Sequence, residues 1–372
     1  MTPKKAFDIQ KLQAAISEAD AGWVAEETPF AKMSSDEQAL LLGYTPGPDD
    51  PSLEEDEGIA KANFEAFLAA LAAPSAAVGY ASSYDLRNVG GKNFITDIRD
   101  QAACGSCVAF GVAATAEGTL RRQENDPNLD VDYSEAHLFY CYARDEGRRC
   151  NNGWWPSNAL NAFRDKGVVD EACFPYTAGD QVCNLCSDWQ NRLTKITGWH
   201  RITSTAQMKE WISTKGPLVA CYTVYDDFFA YTGGIYRHVS GGVAGGHCVS
   251  CVGYNDAQQY WICKNSWGPT FGESGYFRIA YGQCGIDSSM DAVDGVPSPT
   301  VWVRDARIDG LWTINQHRNA WVHVKGLGWR RISPDKDNIF FDMLAQLAAA
   351  KAGNRRVDFR EEAGVIKELY VL

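Results

Sequence analysis

The chain has 372 residues, of which 45% are apolar, 22% charged and 12% aromatic. This is the composition of a globular protein with apolar side chains for more than one core, and it excludes disorder over most of the length. The formal charge of -12 argues against a nucleic-acid partner, because phosphate neutralisation needs a basic face.

Charge and cysteine divide the chain into three. Residues 1–80 hold 5 basic and 14 acidic side chains, residues 81–290 hold 18 and 22, and residues 291–372 hold 12 and 11. All 12 cysteines lie between Cys104 and Cys284, so the thiols mark out the middle segment. No apolar run approaches the roughly 20 residues that cross a bilayer. The N-terminus has basic residues but no apolar stretch of the export type, so neither a transmembrane segment nor a standard signal peptide is expected.

In chain order, Ile9, Leu12, Ile16 and Ala19 recur at helical spacing and predict an amphipathic helix. A second helix is expected over Ser34 to Leu42, stopped by Gly43, followed by the proline-stiffened connector Tyr44 to Pro51. Ser52 and Glu55 form a capping box that starts a third helix, closed by Pro74. Ala69 to Ala77 reads either as a processing site or as an ordinary surface linker. From Ala81 the chain becomes dense in Gly, Cys and aromatic residues. The stretch from Ala102 to Gln123 holds a helix that begins after the Cys104-Gly105-Ser106 turn, and it precedes strand-like runs at Leu218 to Val224, His247 to Tyr254, Tyr260 to Lys264 and Gly275 to Tyr281. After Pro297, strands at Val301 to Ile308, Leu311 to Ile314, Trp321 to Val324 and Trp329 to Ile332 lead to a helix over Asn338 to Ala350, capped by Gly353. Two strands follow, at Arg356 to Phe359 and Val365 to Val371. This is a small α+β unit with a partly closed barrel and no catalytic constellation. Its tryptophans Trp302, Trp312, Trp321 and Trp329 read as core aromatics, with stacking on a glycan or a partner protein as the alternative.

The chemistry concentrates in three blocks. Gln101-Ala102-Ala103-Cys104-Gly105-Ser106-Cys107 leads into the helix, placing Cys107 against unpaired backbone N–H groups and the positive end of the macrodipole, which favours a thiolate of lowered pKa. Gly245-Gly246-His247-Cys248 puts an imidazole at the start of an apolar strand, and Lys264-Asn265-Ser266-Trp267-Gly268 puts an amide after the next one. A thiol, an imidazole and an orienting amide are the parts of Cys-His-Asn acyl transfer.

These blocks resemble the papain family of cysteine peptidases over residues 81–290. The resemblance implies an α+β, papain-like two-subdomain fold, with a helical left half and a β-barrel-like right half. It implies that Cys107 is the nucleophile, His247 the general base and Asn265 its orienting partner. Gln101 and the Cys107 N–H would form the oxyanion hole, and Trp267 would shield the His247–Asn265 bond. By the same alignment Gly153 pairs with an extended substrate backbone, while Trp155 and Cys221 line the pocket for the side chain two residues before the scissile bond. Family bridge positions match Cys104 with Cys150, Cys141 with Cys183, and Cys173 with Cys186; if these form, an extracellular or periplasmic setting is favoured. Val108 and Phe271 depart from the family's usual aromatics. Glu171 to Tyr176 and Asn88 to Phe94 resemble the cathepsin C branch. Ala21 to Phe30 with Leu42-Gly43 resembles the inhibitory propeptide of cathepsin B-like enzymes.

The expected organisation is an inhibitory prosegment and linker over 1–80, a catalytic domain over 81–290 and an accessory α+β domain over 300–372. The expected partners are protein or peptide substrates and the prosegment itself, with a partner or glycan for the accessory domain; no cofactor or metal is called for. A zinc site at Cys183 and Cys186 lacks a second ligand pair. The competing readings are an acyltransferase, which normally uses Asp where Asn265 stands, an exopeptidase, and a peptidase-derived binding module, which usually loses the thiol or the imidazole.

Overall fold

The computed structural model describes residues 8–71, 79–298, 300–362 and 364–372; the expected processing stretch beyond Leu71 falls largely outside them. The chain forms two compact units, the first ending at Pro297 and the second running from Ser298 to Leu372.

The first unit opens with α1 (Ile9–Glu18), whose N-cap Asp8 accepts from the Lys11 N–H and whose Leu12 and Ile16 are buried. Next come β1 (Trp23–Ala25) and α2 (Ser35–Ala39), the latter started by a full Ser34–Glu37 capping box. This helix is shorter than the periodicity suggests, because Leu40 to Leu42 leave it in single turns. Then α3 (Leu53–Leu71) begins after the Ser52–Glu55 box.

The helical half is built on α4 (Cys107–Glu124) and α5 (Pro156–Asp165), with a π-helical stretch at His137–Ala143 beside them. The helix starts at Cys107, after the Cys104-Gly105-Ser106 turn as the sequence suggests, and Ala102 lies before that turn with a positive φ. The other half is a nine-stranded sheet. Its strands are β1, β2 (Ser83–Asp85), β3 (Gly198–Ile202), β4 (Leu218–Tyr225), β5 (Tyr231–Tyr236), β6 (Val243–Asn255), β7 (Tyr260–Lys264), β8 (Tyr276–Ala280) and β9 (Met290–Gly295), with α6 (Thr205–Thr214) packed against it. Their order is β1-β5-β8-β7-β6-β4-β9-β3, with β2 on β6. One aromatic-rich core lies under the sheet and a second surrounds α4 and α5. Between them, the buried Glu117 and Lys264 are joined through the Thr96 hydroxyl, fixing α4 against the strand that ends at Asn265.

The second unit is a closed barrel with the strand order β10-β11-β12-β14-β13, where β10 is Thr300–Thr313, β11 Ala320–Val324, β12 Gly328–Ile332, β13 Arg356–Glu362 and β14 Val365–Val371. A helix, α7 (Asp337–Ala352), joins the third strand to the fourth. This is the Greek-key arrangement of an OB-type barrel. Two expected strands, 301–308 and 311–314, are a single bent one: register shifts at Val303/Ala306 and Ile308/Gly310 let β10 pair with β13 and then with β11. The barrel closes fully because β12 also pairs in parallel with β14. Ala320, Val322, Val324, Ile332, Leu347, Val357, Phe359 and Ile366 fill it. Trp302, Trp312 and Trp329 do not; they are 38%, 44% and 49% exposed, so the core reading fails for these three.

Candidate active site

The two halves of the first unit meet where α4 begins. Cys107 is the first residue of α4 and is completely buried. Its thiol faces the backbone N–H groups of Cys248 and Gly43. Cys248 follows His247 on β6, so the thiol lies beside the strand that carries the imidazole. The His247 Nε2 is 2.7 Å from Asn265 Oδ1, while Nδ1 is buried with no hydrogen-bond partner. Asn265 follows β7 directly, and its Oδ1 also accepts from the Ser266 N–H. Trp267 lies over this pair, 4.8 Å from the His247 ring centre, and is stacked in turn on Phe229. Phe271 meets Trp267 edge-on at 4.9 Å.

Gln101 is buried, and every polar atom of its side chain is held. Its Nε2 donates to Cys104 O (2.8 Å) and Leu41 O (3.1 Å), and its Oε1 accepts from Ser266 Oγ (2.7 Å). The Tyr176 hydroxyl donates to Gln101 O and sits 2.8 Å from Ser106 Oγ. The parts played by Ser266 and Tyr176 have no local sequence signal, because both reach Gln101 from distant segments.

The N-terminal segment crosses this centre. The Gly43 and Tyr44 N–H groups donate to Gly246 O (3.1 and 3.0 Å), the Trp154 N–H donates to Gly43 O (2.8 Å), and the Thr45 N–H donates to Trp154 O (3.0 Å). Leu41 O also accepts from Trp267 Nε1 (3.2 Å). Gly153, expected to pair with a substrate backbone, does not pair with this segment, and its N–H turns inward to Arg149 O. It instead has φ +60, and a Cβ there would lie 2.1 Å from Gly43 O, so its lack of a side chain lets Gly43 pass. Trp155 lies at the far end, with Gly47 beside it and the Arg148 guanidinium over its ring. Cys221 shares a small hollow with Tyr44, Arg201 and Asp291.

The aromatic residues Trp23 and Phe30 anchor the segment before it enters. Trp23 pairs with Gly234 and meets Tyr236 at 5.2 Å, and Phe30 sits 5.6 Å from both Trp267 and Phe271. Beyond the crossing, α3 docks through Asn63 onto the Asp287 and Ser288 carbonyls and through Phe67 under the buried Lys209 ammonium.

Electrostatics follow from this covering. Burial raises the Cys107 thiol pKa, with Cys248 adding to the effect, against the lowered value expected from the helix terminus. Desolvation outweighs the dipole because solvent is excluded from the thiol. Burial likewise lowers His247 to about 4, against the opposing pull of its bond to Asn265. A thiolate–imidazolium pair is therefore disfavoured in this form. The six bridge-position cysteines form the disulfides Cys104–Cys150, Cys141–Cys183 and Cys173–Cys186, so Cys183 and Cys186 are not thiolates available to zinc. Cys107, Cys221, Cys248, Cys251, Cys263 and Cys284 are free.

A thiol at a helix start beside a buried imidazole–amide pair, between a helical and a β half, defines a thiol-hydrolase architecture. Residues 80–293 match the family model described as papain family cysteine protease, and the chain belongs to that family. It is a cysteine peptidase. It is 36% identical over 211 residues to cathepsin B-like CP3 of Giardia intestinalis, covering 53% of this chain and 69% of that protein. To cathepsin B of Dictyostelium discoideum it is 33% identical over 228 residues, 55% and 70% of the two chains. Its fold is similar to that of proCathepsin B S9 from Trypanosoma congolense, with a TM-score of 0.61 and 23% identity over 77% of this chain and 98% of that one.

Proposed function

We propose that the chain is the precursor of a cysteine endopeptidase, with residues 1–80 as its inhibitory prosegment, 81–290 as the catalytic domain and 300–372 as an accessory domain. The observation that carries this reading is the uninterrupted crossing of Leu41 to Thr45, with chain continuing at both ends. A groove that passes an unbroken polypeptide accepts internal peptide bonds, which is what an endopeptidase requires.

In the uncovered enzyme, His247 Nδ1 takes the Cys107 proton and the sulfur attacks the scissile carbonyl carbon. The carbonyl oxygen gains the negative charge and is stabilised by Gln101 Nε2–H and the Cys107 N–H. The imidazolium then gives its proton to the departing amine, leaving a thioester that water hydrolyses with His247 again as base. Asn265 holds the imidazole for both transfers. Substrate residues before the scissile bond would lie toward Trp155 and Cys221. The prosegment runs the opposite way, from the Gln101 and Trp267 end to the Trp155 end. This reversal supports inhibition, because the carbonyl held by Gln101 is that of Leu41, while the thiol meets the N–H of Gly43.

The test is incubation of purified full chain under reducing conditions from pH 7 to pH 4. In the covered form burial lowers the His247 pKa to about 4, so proton uptake by the imidazole as the pH falls below its ordinary value favours uncovering. Asp56 on α3, raised by burial, acts in the opposite sense and moderates the effect. A shorter form active on an internally quenched peptide blocked at both termini is expected to accumulate as the pH falls. Full-length protein that persists with full activity would sink the zymogen reading. Gln101→Ala, assayed as the processed form, should lower kcat by about 10²- to 10³-fold with little change in KM; an unchanged kcat removes Gln101 from the oxyanion hole.

A further inference from the structure

The closed barrel carries an aromatic face that no part of the peptidase chemistry uses. In its strand register Trp312 pairs with Trp321, and Trp321 pairs with Arg331, forming one row across β10, β11 and β12. Gly310, His323 and Trp329 form the next row on the same face. Gly310 is needed there: a Cβ would lie 2.7 Å from His323 Cβ and 3.2 Å from the Trp329 ring. Trp312, Trp321 and Trp329, with Asn319 and Arg331, surround a groove of about 630 Å³, within the size range of small-ligand sites.

We propose that this groove binds an oligosaccharide. Fold alone does not choose a ligand; the side chains do. Trp312 and Trp329 are 44% and 49% exposed and offer flat faces to the C–H surfaces of sugar rings. Trp321 presents only its ring, because its Nε1–H is turned to Asn319 Oδ1 at 2.9 Å, and Asn319 is fixed by a bond to Gln316. Arg331 lines the groove beside the rings and supplies a cation for a sugar hydroxyl or carboxylate.

Charge separates this ligand from a single-stranded nucleic acid, which also stacks on aromatics but needs a basic track along its phosphates. On this barrel Arg304, Arg318, Arg330, Arg356, Arg360 and Lys367 are all paired with carboxylates. In the middle of the second row His323 is bonded to Asp309, whose carboxylate would repel a phosphate chain. A polyproline ligand is the other candidate for an aromatic groove. It relies on indole N–H groups donating to peptide carbonyls, and the central indole here has its N–H engaged by Asn319.

The test uses the full chain carrying Cys107→Ala, its intact length checked by mass, and the binding it reads depends on no catalytic assignment. Binding is measured calorimetrically with cellohexaose, chitohexaose, hexagalacturonate, an oligothymidylate and a proline-rich decapeptide. The expected result is binding of at least one saccharide. That affinity should fall about tenfold or more in Trp312→Ala/Trp329→Ala, with the melting temperature preserved because both rings are largely exposed. Arg331→Gln should weaken the same saccharide. Failure to bind any saccharide, binding confined to the oligothymidylate or the peptide, or saccharide binding undiminished in the double variant overturns the proposal.

Discussion

Cys107→Ala is expected to abolish peptide hydrolysis, lowering kcat by about 10⁴-fold or more, while leaving the melting temperature nearly unchanged. The loss is large because nucleophile, base and oxyanion donors act as one unit, so removing the thiol wastes the others. The fold is spared because a single sulfur is removed from a site already lined by Cys248 and backbone. The variant should also remain full length under acidic, reducing conditions if processing is the enzyme's own work. Labelling with an epoxide-type cysteine-peptidase inactivator adds a second readout. Wild-type protein should form no adduct while Cys107 is buried beneath Gly43, one adduct after processing, and none in Cys107→Ala at any stage. The other five free thiols supply the internal control, since four of them are buried in the sheet half and Cys221 is half-buried. Activity surviving the substitution, or an adduct on another cysteine, would remove Cys107 from the nucleophile's place.

Much of this centre could be read from sequence because its signals are local. A cysteine after a Gly-Ser turn marks a helix start, a His between glycines and an apolar run lies on that strand, and an Asn after an apolar run marks a strand's end. Trp23 and Phe30, seven residues apart in an acidic segment, resemble a family propeptide in sequence, and both are docked on sheet aromatics. What escaped reading depends on pairings between distant segments. Nothing near Gly153 says that its neighbour Trp154 does the pairing, since that is decided by the turn that points the Gly153 N–H to Arg149. The raised Cys107 pKa follows from Gly43 covering it, a contact 64 positions away in the chain. In the barrel, a Trp on a strand reads as core until closure decides which face points inward. Val322 and Val324 take the interior, and Trp321 and Trp329 fall on the outer face.

Gly43→Ala should open the precursor without any cleavage. The backbone of Gly43 needs no left-handed conformation, so the effect of a methyl group there is purely steric. That methyl would stand 2.0 Å from Gly105 O and 2.3 Å from its carbonyl carbon, both main-chain atoms with no rotamer to yield. Gly105 cannot retreat easily, because its own N–H is bonded to Cys150 O and Cys150 is bridged to Cys104. The segment must therefore lift, loosening the bonds from Gly43 and Tyr44 to Gly246 and from Trp154 to Gly43. At about 1 kcal/mol for each of these three bonds, the hold weakens by about 3 kcal/mol, or roughly 100-fold. Uncleaved Gly43→Ala should then hydrolyse peptide and label at Cys107 at neutral pH, where the wild-type precursor does neither. Gly58→Ala is the matched control: a Cβ at Gly58 on α3 meets nothing within 4 Å, so that precursor should stay closed. A Gly43→Ala protein that folds, judged by its melting transition, yet stays as silent as wild type would show that Leu41 to Thr45 is not what blocks the enzyme.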